Sequence, residues 1–237
     1  NTKQGVDVMQ KDLTKGSALK NIITFSLPFL LANFLQTFYG MADLFIVGQY
    51  NGAASLSGVS IGSQVMHMIT VMIVGLAMGS TVIIAQAIGG DDKKKASQTV
   101  GNSVTLFLGL AIVLAVVLVT LVSPIVSVMS TPAESVDGTK LYLIICFIGI
   151  PFITAYNVIS SIFRGLGDSK SPMCFITVAC VVNIALDYLF MGYFHLGPAG
   201  AALGTTMSQA FSVVLALIVI IKKQSGITLQ KSDLRPQ

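Results

Sequence analysis

Six long apolar stretches leave this chain few ways to fold. They run approximately over residues 19–47, 53–88, 100–122, 141–163, 172–194 and 200–221. Each meets the roughly 20 residues needed to cross a hydrocarbon core about 30 Å thick. Backbone groups in hydrocarbon have no water to bond, so spans of this kind are helical. The expected fold is therefore all-α, a polytopic membrane protein built as a six-helix transmembrane bundle. Composition agrees, since charged residues make up only 10% of the chain against about 25% in ordinary soluble domains. Three segments follow: a cytoplasmic N-terminal segment (1–17), a transmembrane lobe (18–222) and a cytoplasmic tail or start of a linker (223–237). The short loops leave no space for a soluble catalytic domain.

The basic residues set an orientation. Lys3, Lys11, Lys15 and Lys20 precede span one, and Lys93, Lys94 and Lys95 join spans two and three. Arg164 and Lys170 join spans four and five, and Lys222, Lys223, Lys231 and Arg235 follow span six. Only Lys140 falls on the other side, so the positive-inside rule places both termini in the cytoplasm of a cell inner membrane. The net charge of +4 needs no nucleic acid to explain it, because these residues form no phosphate-tracking stripe. A polar start and an overlong first apolar segment argue against a removable signal peptide. Cys146, Cys174 and Cys180 lack metal-ligand spacing and read as apolar packing. Tyr39, Tyr50, Tyr142 and Tyr193 fall near span ends, where an aromatic belt belongs.

Asp43 and Asp187 are the only acidic side chains inside the spans. A carboxylate in hydrocarbon costs from about 3 kcal/mol upward and marks an ion or proton pathway by default. Both aspartates, and Thr205 on the returning sixth span, are expected about 7–8 Å below the outer boundary. Asn183 precedes Asp187 by four residues on one helix face, as Tyr39 precedes Asp43. Carboxylate, amide and hydroxyl oxygens suit a hard cation, and paired carboxylates share a proton or cation more readily than both ionise. Interhelical hydrogen bonding is an equal reading for Asn183 and Thr205. Tyr142 and Asn157 offer further polar groups from span four, and His67 sits within span two as a relay or packing residue. Pro28 interrupts span one about 22 Å from Asp43 and permits a kink. Gly75 and Gly79 allow close helix approach. The segment from Arg164 to Pro172 reads as a tight cytoplasmic turn, not a phosphate loop. No nucleophile–base pair or metal cluster points to an enzyme, and no cofactor is implied beyond a coupling ion, H⁺ or Na⁺.

The run Tyr39-Gly-Met-Ala-Asp43-Leu-Phe-Ile-Val-Gly48 resembles the first-helix signature of multidrug and toxic compound extrusion (MATE) transporters. Ile84-Ala-Gln86-Ala-Ile-Gly89, Arg164-Gly-Leu-Gly-Asp168-Ser-Lys-Ser-Pro172-Met, Asn183-Ile-Ala-Leu-Asp187 and Gly200-Ala-Ala-Leu-Gly-Thr205-Thr-Met-Ser208-Gln209 are similar to that family's pattern in the same order. The resemblance implies one six-helix lobe of a twelve-helix transporter, with a second lobe as partner and a central cavity for a small organic molecule. It implies a coupling-ion site at Asp43, Asn183, Asp187 and Thr205, holding H⁺ or Na⁺, and a first-helix hinge at Pro28. Tyr188 stands where many relatives have Pro, so the resemblance does not extend to a broken fifth helix. Gly204 stands where Ala is usual, a difference of small expected consequence. The function implied is antiport of cationic or amphipathic compounds against H⁺ or Na⁺. A lipid-linked precursor flippase would need basic residues in its cavity. A passive channel or membrane scaffold would show no dependence on an ion gradient.

Overall fold

The computed structural model describes residues 17–223, with side chains to residue 220. Helix α1 (Ala18–Gly89) is followed by α2 (Lys93–Thr120), the short α3 (Val122–Val128) and a 3-10 turn (Ala133–Ser135). Then come α4 (Val136–Ile148), α5 (Ile150–Gly165), α6 (Lys170–Asp187), a π-helical segment (Tyr188–Tyr193) and α7 (Pro198–Lys223). No strand occurs among the described residues.

Six crossings follow from these elements. The 72 residues of α1 would measure about 108 Å if straight, more than three hydrocarbon thicknesses. They are divided at Gly52, whose φ of 78° and ψ of −179° leave the helix. That left-handed φ is open to glycine at little cost. Spans one and two are therefore residues 18–51 and 53–89. Helix α2 is the third, beginning at the lysines that the sequence places in a loop, with the Asp92 side chain accepting from Lys95 N at 3.0 Å. Span four is the pair 133–148 and 150–165, bent by 50°. Pro151, second in α5, lacks an N–H and cannot continue the preceding helix. Span five is α6 with the π-helical segment, and α7 is the sixth.

Helix α1 packs against α4, α5 and α6, while α7 lies against α4, α5 and α6. One apolar cluster gathers Ile46, Val47, Leu143, Phe147, Ile150, Met191 and Ala202. A second holds Tyr156, Phe163, Phe175, Ile176 and Val213, with Phe163 and Phe175 edge to face at 5.6 Å. At most 33% of any candidate membrane window is buried within the chain. Large side chains such as Leu27, Phe34, Phe45, Leu106 and Val113 point outward, as a surface solvated by lipid or by another apolar face requires.

Pro28 lies inside α1 with helical backbone on either side, and breaks occur at Gly52 and Gly149–Pro151. Other expectations change. Nothing lies within 4 Å of the Cβ position of Gly75 or Gly79, so these glycines bring no helix close within this chain. Cys146 and Cys180 are buried as expected, but Cys174 is exposed. Tyr142 is buried against Gly62, whose missing Cβ admits the ring, and is no belt residue. The segment after Arg164 is a tight turn: Gly167 has φ +83°, and the Asp168 carboxylate accepts from Lys170 N and Ser171 N at 3.0 Å each.

Candidate functional site

Span one presents Asp43, span five presents Asn183 and Asp187, and α7 presents Thr205, all on inward faces. The structure brings these four together. The Thr205 hydroxyl donates to Asp43 Oδ2 at 3.2 Å across 162 residues of sequence. Asp187 and Asn183 stand beside the Asp43 carboxyl. Relative exposure is 5% for Asp43 and 0% for both Asn183 and Asp187, so these groups are removed from solvent.

Their hydrogen bonding is incomplete. Asp43 Oδ1, both carboxylate oxygens of Asp187 and both amide atoms of Asn183 are buried with no partner. Buried polar groups are normally satisfied, and an unsatisfied one costs about 1–3 kcal/mol. Four of these five orphaned atoms are oxygens, gathered from two helices, which is the donor set a hard cation or a proton takes. The cluster therefore fits a cation by its own chemistry. Among the described residues no group of three or more His, Cys, Asp or Glu side chains forms a conventional metal site.

The helices run past the apolar stretches that mark them in sequence. Span one continues to residue 51, so Asp43 lies nine residues, or about 13 Å along the helix, below the break at Gly52. Thr205 lies seven residues, about 10 Å, into α7. Asp187 closes the α-helical part of span five, and the chain then widens into the π-helix, where Phe194 N donates to Leu189 O at 3.0 Å. Such π-segments recur at functional sites. Here it loosens the winding without a proline, beginning at Tyr188.

Beside the cluster is a cavity of about 840 Å³ lined by both apolar and polar side chains, which Asp43 and Thr205 reach and Asn183 and Asp187 do not. Asp43, Tyr39, Tyr142, Gln64, His67 and Thr205 contribute to its wall. Tyr39 joins the network through its hydroxyl, which accepts from Gln209 Nε2 at 3.4 Å. Gln209 is one turn beyond Thr205, so the same i, i+4 spacing that paired Tyr39 with Asp43 could have found it. His67 is exposed on the wall, and His195 is exposed in the outer turn.

Asn157 is not part of this group. It donates to Ile153 O at 2.8 Å on its own helix and lines a smaller cavity of about 50 Å³ with Asn33, Gln36 and Arg164. Arg164, expected in a loop, closes α5: it donates to Ser161 Oγ at 3.1 Å and lies over the Phe29 ring at 5.3 Å.

Gly204 matters more than expected. A Cβ there would overlap Asp187 Oδ1 and sit 3.3 Å from Asp187 Cγ.

Comparison with known proteins follows the same lines. A family profile described as MatE matches residues 28–189. The chain is 35% identical over 211 residues to a probable multidrug resistance protein, YpnP, of Bacillus subtilis, covering 89% of this chain and 47% of that protein. A multidrug resistance MATE family transporter of the MOP superfamily, solved in an outward-facing conformation, superposes with a TM-score of 0.89 at 26% identity, over 100% of this chain and 51% of that one. A MATE structure in a bent conformation superposes with a TM-score of 0.87 at 26% identity, over 100% of this chain and 52% of that one. The chain spans about half the length of the curated relatives it matches.

Proposed function

Because the chain belongs to the MatE family, we propose that it is one lobe of a secondary antiporter that exports organic compounds against H⁺ or Na⁺. The observation that carries the reading is the pair of buried carboxylates, Asp43 and Asp187, three of whose four oxygens have no protein partner. A buried acidic pair left open in a membrane span is costly unless a cation or proton joins it.

Asp43, Asn183, Asp187 and Thr205 hold the coupling ion. A bound cation or proton supplies the positive charge that makes the acidic pair tolerable in its buried site. Asp43 belongs to span one and Asp187 to span five, so drawing both carboxylates onto one charge alters how the two helices pack. The Thr205 hydroxyl, now donating to Asp43 Oδ2, is free to turn when that oxygen is neutralised. Tyr39 and Tyr142 extend the network towards the cavity. Pro28, lacking an N–H, leaves span one with a weakened rung at which it bends, and a similar MATE protein has been solved in a bent conformation. The ion drives transport only as far as it binds the two packings with different affinity.

The large cavity opens on the face where spans one and two meet lipid or a partner, and a second six-helix lobe closes it there. The probable multidrug resistance relative supports a small organic substrate, cationic or amphipathic. Both ends of the lobe face the cytoplasm, in the cytoplasmic membrane, because Lys93, Lys94, Lys95, Arg164 and Lys170 share one side.

The test is efflux of a fluorescent cationic dye from vesicles containing the complete protein under imposed pH or Na⁺ gradients. Gradient-dependent efflux that is lost in Asp43→Asn, with membrane insertion unchanged, is expected. Undiminished coupled efflux in that variant overturns the mechanism.

A further inference from the structure

We propose that Gly204 is a positioning residue that seats the Asp187 carboxylate and thereby sets the affinity of the lobe for its coupling cation. The inference rests on the reading of Asp43 and Asp187 as cation ligands.

Gly204 is buried in the interior of α7, one residue before Thr205. Its backbone is helical, so no turn or left-handed φ calls for glycine there. Alanine is the better helix former, and the position gives that up. What it gains is space. The volume an alanine methyl would fill is occupied by Asp187 Oδ1, with Asp187 Cγ at 3.3 Å and Asn183 Nδ2 at 3.6 Å from the Cβ position. The carboxylate thus lies directly on the α7 backbone, in a notch the shape of one missing side chain.

Gly200, one turn earlier on the same helix, provides an internal contrast. Its Cβ position meets Met191 Cγ at 3.0 Å, Phe190 Cβ at 3.1 Å and the Phe190 backbone carbon at 3.2 Å, a tight contact with the π-helical segment that involves no ligand atom. Two glycines on one face of α7 therefore serve the same helix contact differently: Gly200 admits apolar bulk, and Gly204 admits a ligand.

A methyl at 204 leaves two ways out, and both reach the site. Asp187 rotates out of the notch and changes its approach to Asp43. Otherwise α7 backs away, carrying Thr205 from the Asp43 oxygen to which it donates at 3.2 Å. Ligand sets hold their geometry to within about 0.5 Å, and either adjustment exceeds that.

Three variants of the complete protein test this in vesicles and in detergent. Gly204→Ala should raise the cation concentration for half-maximal dye efflux at least tenfold while flux at saturating cation is kept. Gly200→Ala should leave that concentration unchanged. Thermal unfolding of Gly204→Ala in wild-type and Asp187→Ala backgrounds keeps the test decisive where efflux is too weak to measure. The methyl should lower the unfolding midpoint in the first background and not in the second, where the notch is empty. An unshifted cation dependence in Gly204→Ala, an equal shift in Gly200→Ala, or an equal destabilisation in both backgrounds overturns the proposal. Coupled efflux that survives Asp43→Asn would instead remove the reading beneath it.

Discussion

Asn183→Leu should make the lobe more stable and blind to Na⁺. Both amide atoms of Asn183 are buried without a partner, in a residue with 0% exposure. Each desolvated, unbonded group costs about 1–3 kcal/mol, and leucine removes both while keeping the γ-branched shape. Position 183 is inside α6, where leucine also gains about 0.5 kcal/mol of helix propensity. Opposing these gains, the bulkier methyls press on Asp187 and Gly204, and overpacking of this kind costs about 1–3 kcal/mol. The terms sum to between about zero and 5 kcal/mol, with a central gain of about 2–3 kcal/mol. For a chain of this size that central gain is a rise of about 4–12 °C in the unfolding midpoint. The chain has no Trp, but Cys146 and Cys180 are buried and free, so in a Cys174→Ser background, which removes the exposed thiol, a thiol-reactive fluorogenic dye reports their exposure on heating. The measurement belongs in a Na⁺-free potassium buffer at high pH, where neither Na⁺ nor protons load the site. Adding Na⁺ should then stabilise the wild type by mass action and leave Asn183→Leu unmoved, while lowering the pH stabilises both, because the two carboxylates remain. A variant that unfolds below the wild type in the Na⁺-free buffer would refute the reasoning, because it would mean that the amide is satisfied in the native state.

Thr205→Val removes, at nearly constant shape, the donor that stabilises the ionised and unloaded Asp43 Oδ2, and should make proton loading about tenfold easier, the worth of one hydrogen bond to a charged group. Thr205→Ser should reverse most of that change, read as half-saturation in the vesicle assay. Asp168→Ala strips the side chain that accepts from Lys170 N, Ser171 N and the Ser171 hydroxyl at the start of α6. A loss of about 0.5–2 kcal/mol is expected, seen as a lower unfolding midpoint with cation dependence unchanged.

The parts of this molecule legible in the sequence are those where one physical term dominates. Burying apolar length in lipid fixes the six spans, and the cost of charge in hydrocarbon singles out Asp43 and Asp187. Asn183 and Thr205 follow from spacing and depth, and the Thr205 hydroxyl reaches Asp43 Oδ2 at 3.2 Å. Where two terms compete the reading is weaker. Pro28 and Pro151 carry the same missing N–H, yet only the second coincides with a break. The difference lies beside it: the Cβ position of Gly149 lies 2.6 Å from Thr206 Cγ2, so the break at Pro151 is held by a close helix contact that no local pattern reveals. Gly75 and Gly79 repeat the error in reverse, as small residues spaced for contact but facing outward. The helix of span one runs on through polar residues such as Gln49 and Asn51, beyond the apolar run that marks it in sequence. Gly204 reads in the sequence as a difference of small consequence, because what it supplies is the space it leaves, which only the Asp187 rotamer discloses.

The irregularities of the backbone converge on one short stretch of α7. Gly204 receives the Asp187 carboxylate, from the point where span five turns from α-helix to π-helix. Thr205 donates to Asp43 of span one. Thr206 fills the space at Gly149, where span four bends by 50°. Three consecutive residues thus touch three different spans, each at its acidic or broken position. Irregular backbone at membrane depth is tolerated where protein covers it or a cavity lies beside it, and here α7 supplies the cover. A rigid helix cannot satisfy these contacts independently: shifting it to follow Asp43 also moves the seat of Asp187 and the wedge at Gly149. In the proposed antiport, neutralising the carboxylates therefore acts on spans one, four and five together. On that proposal a single bound charge has the leverage to repack a lobe in which each separate contact is worth only a few kcal/mol.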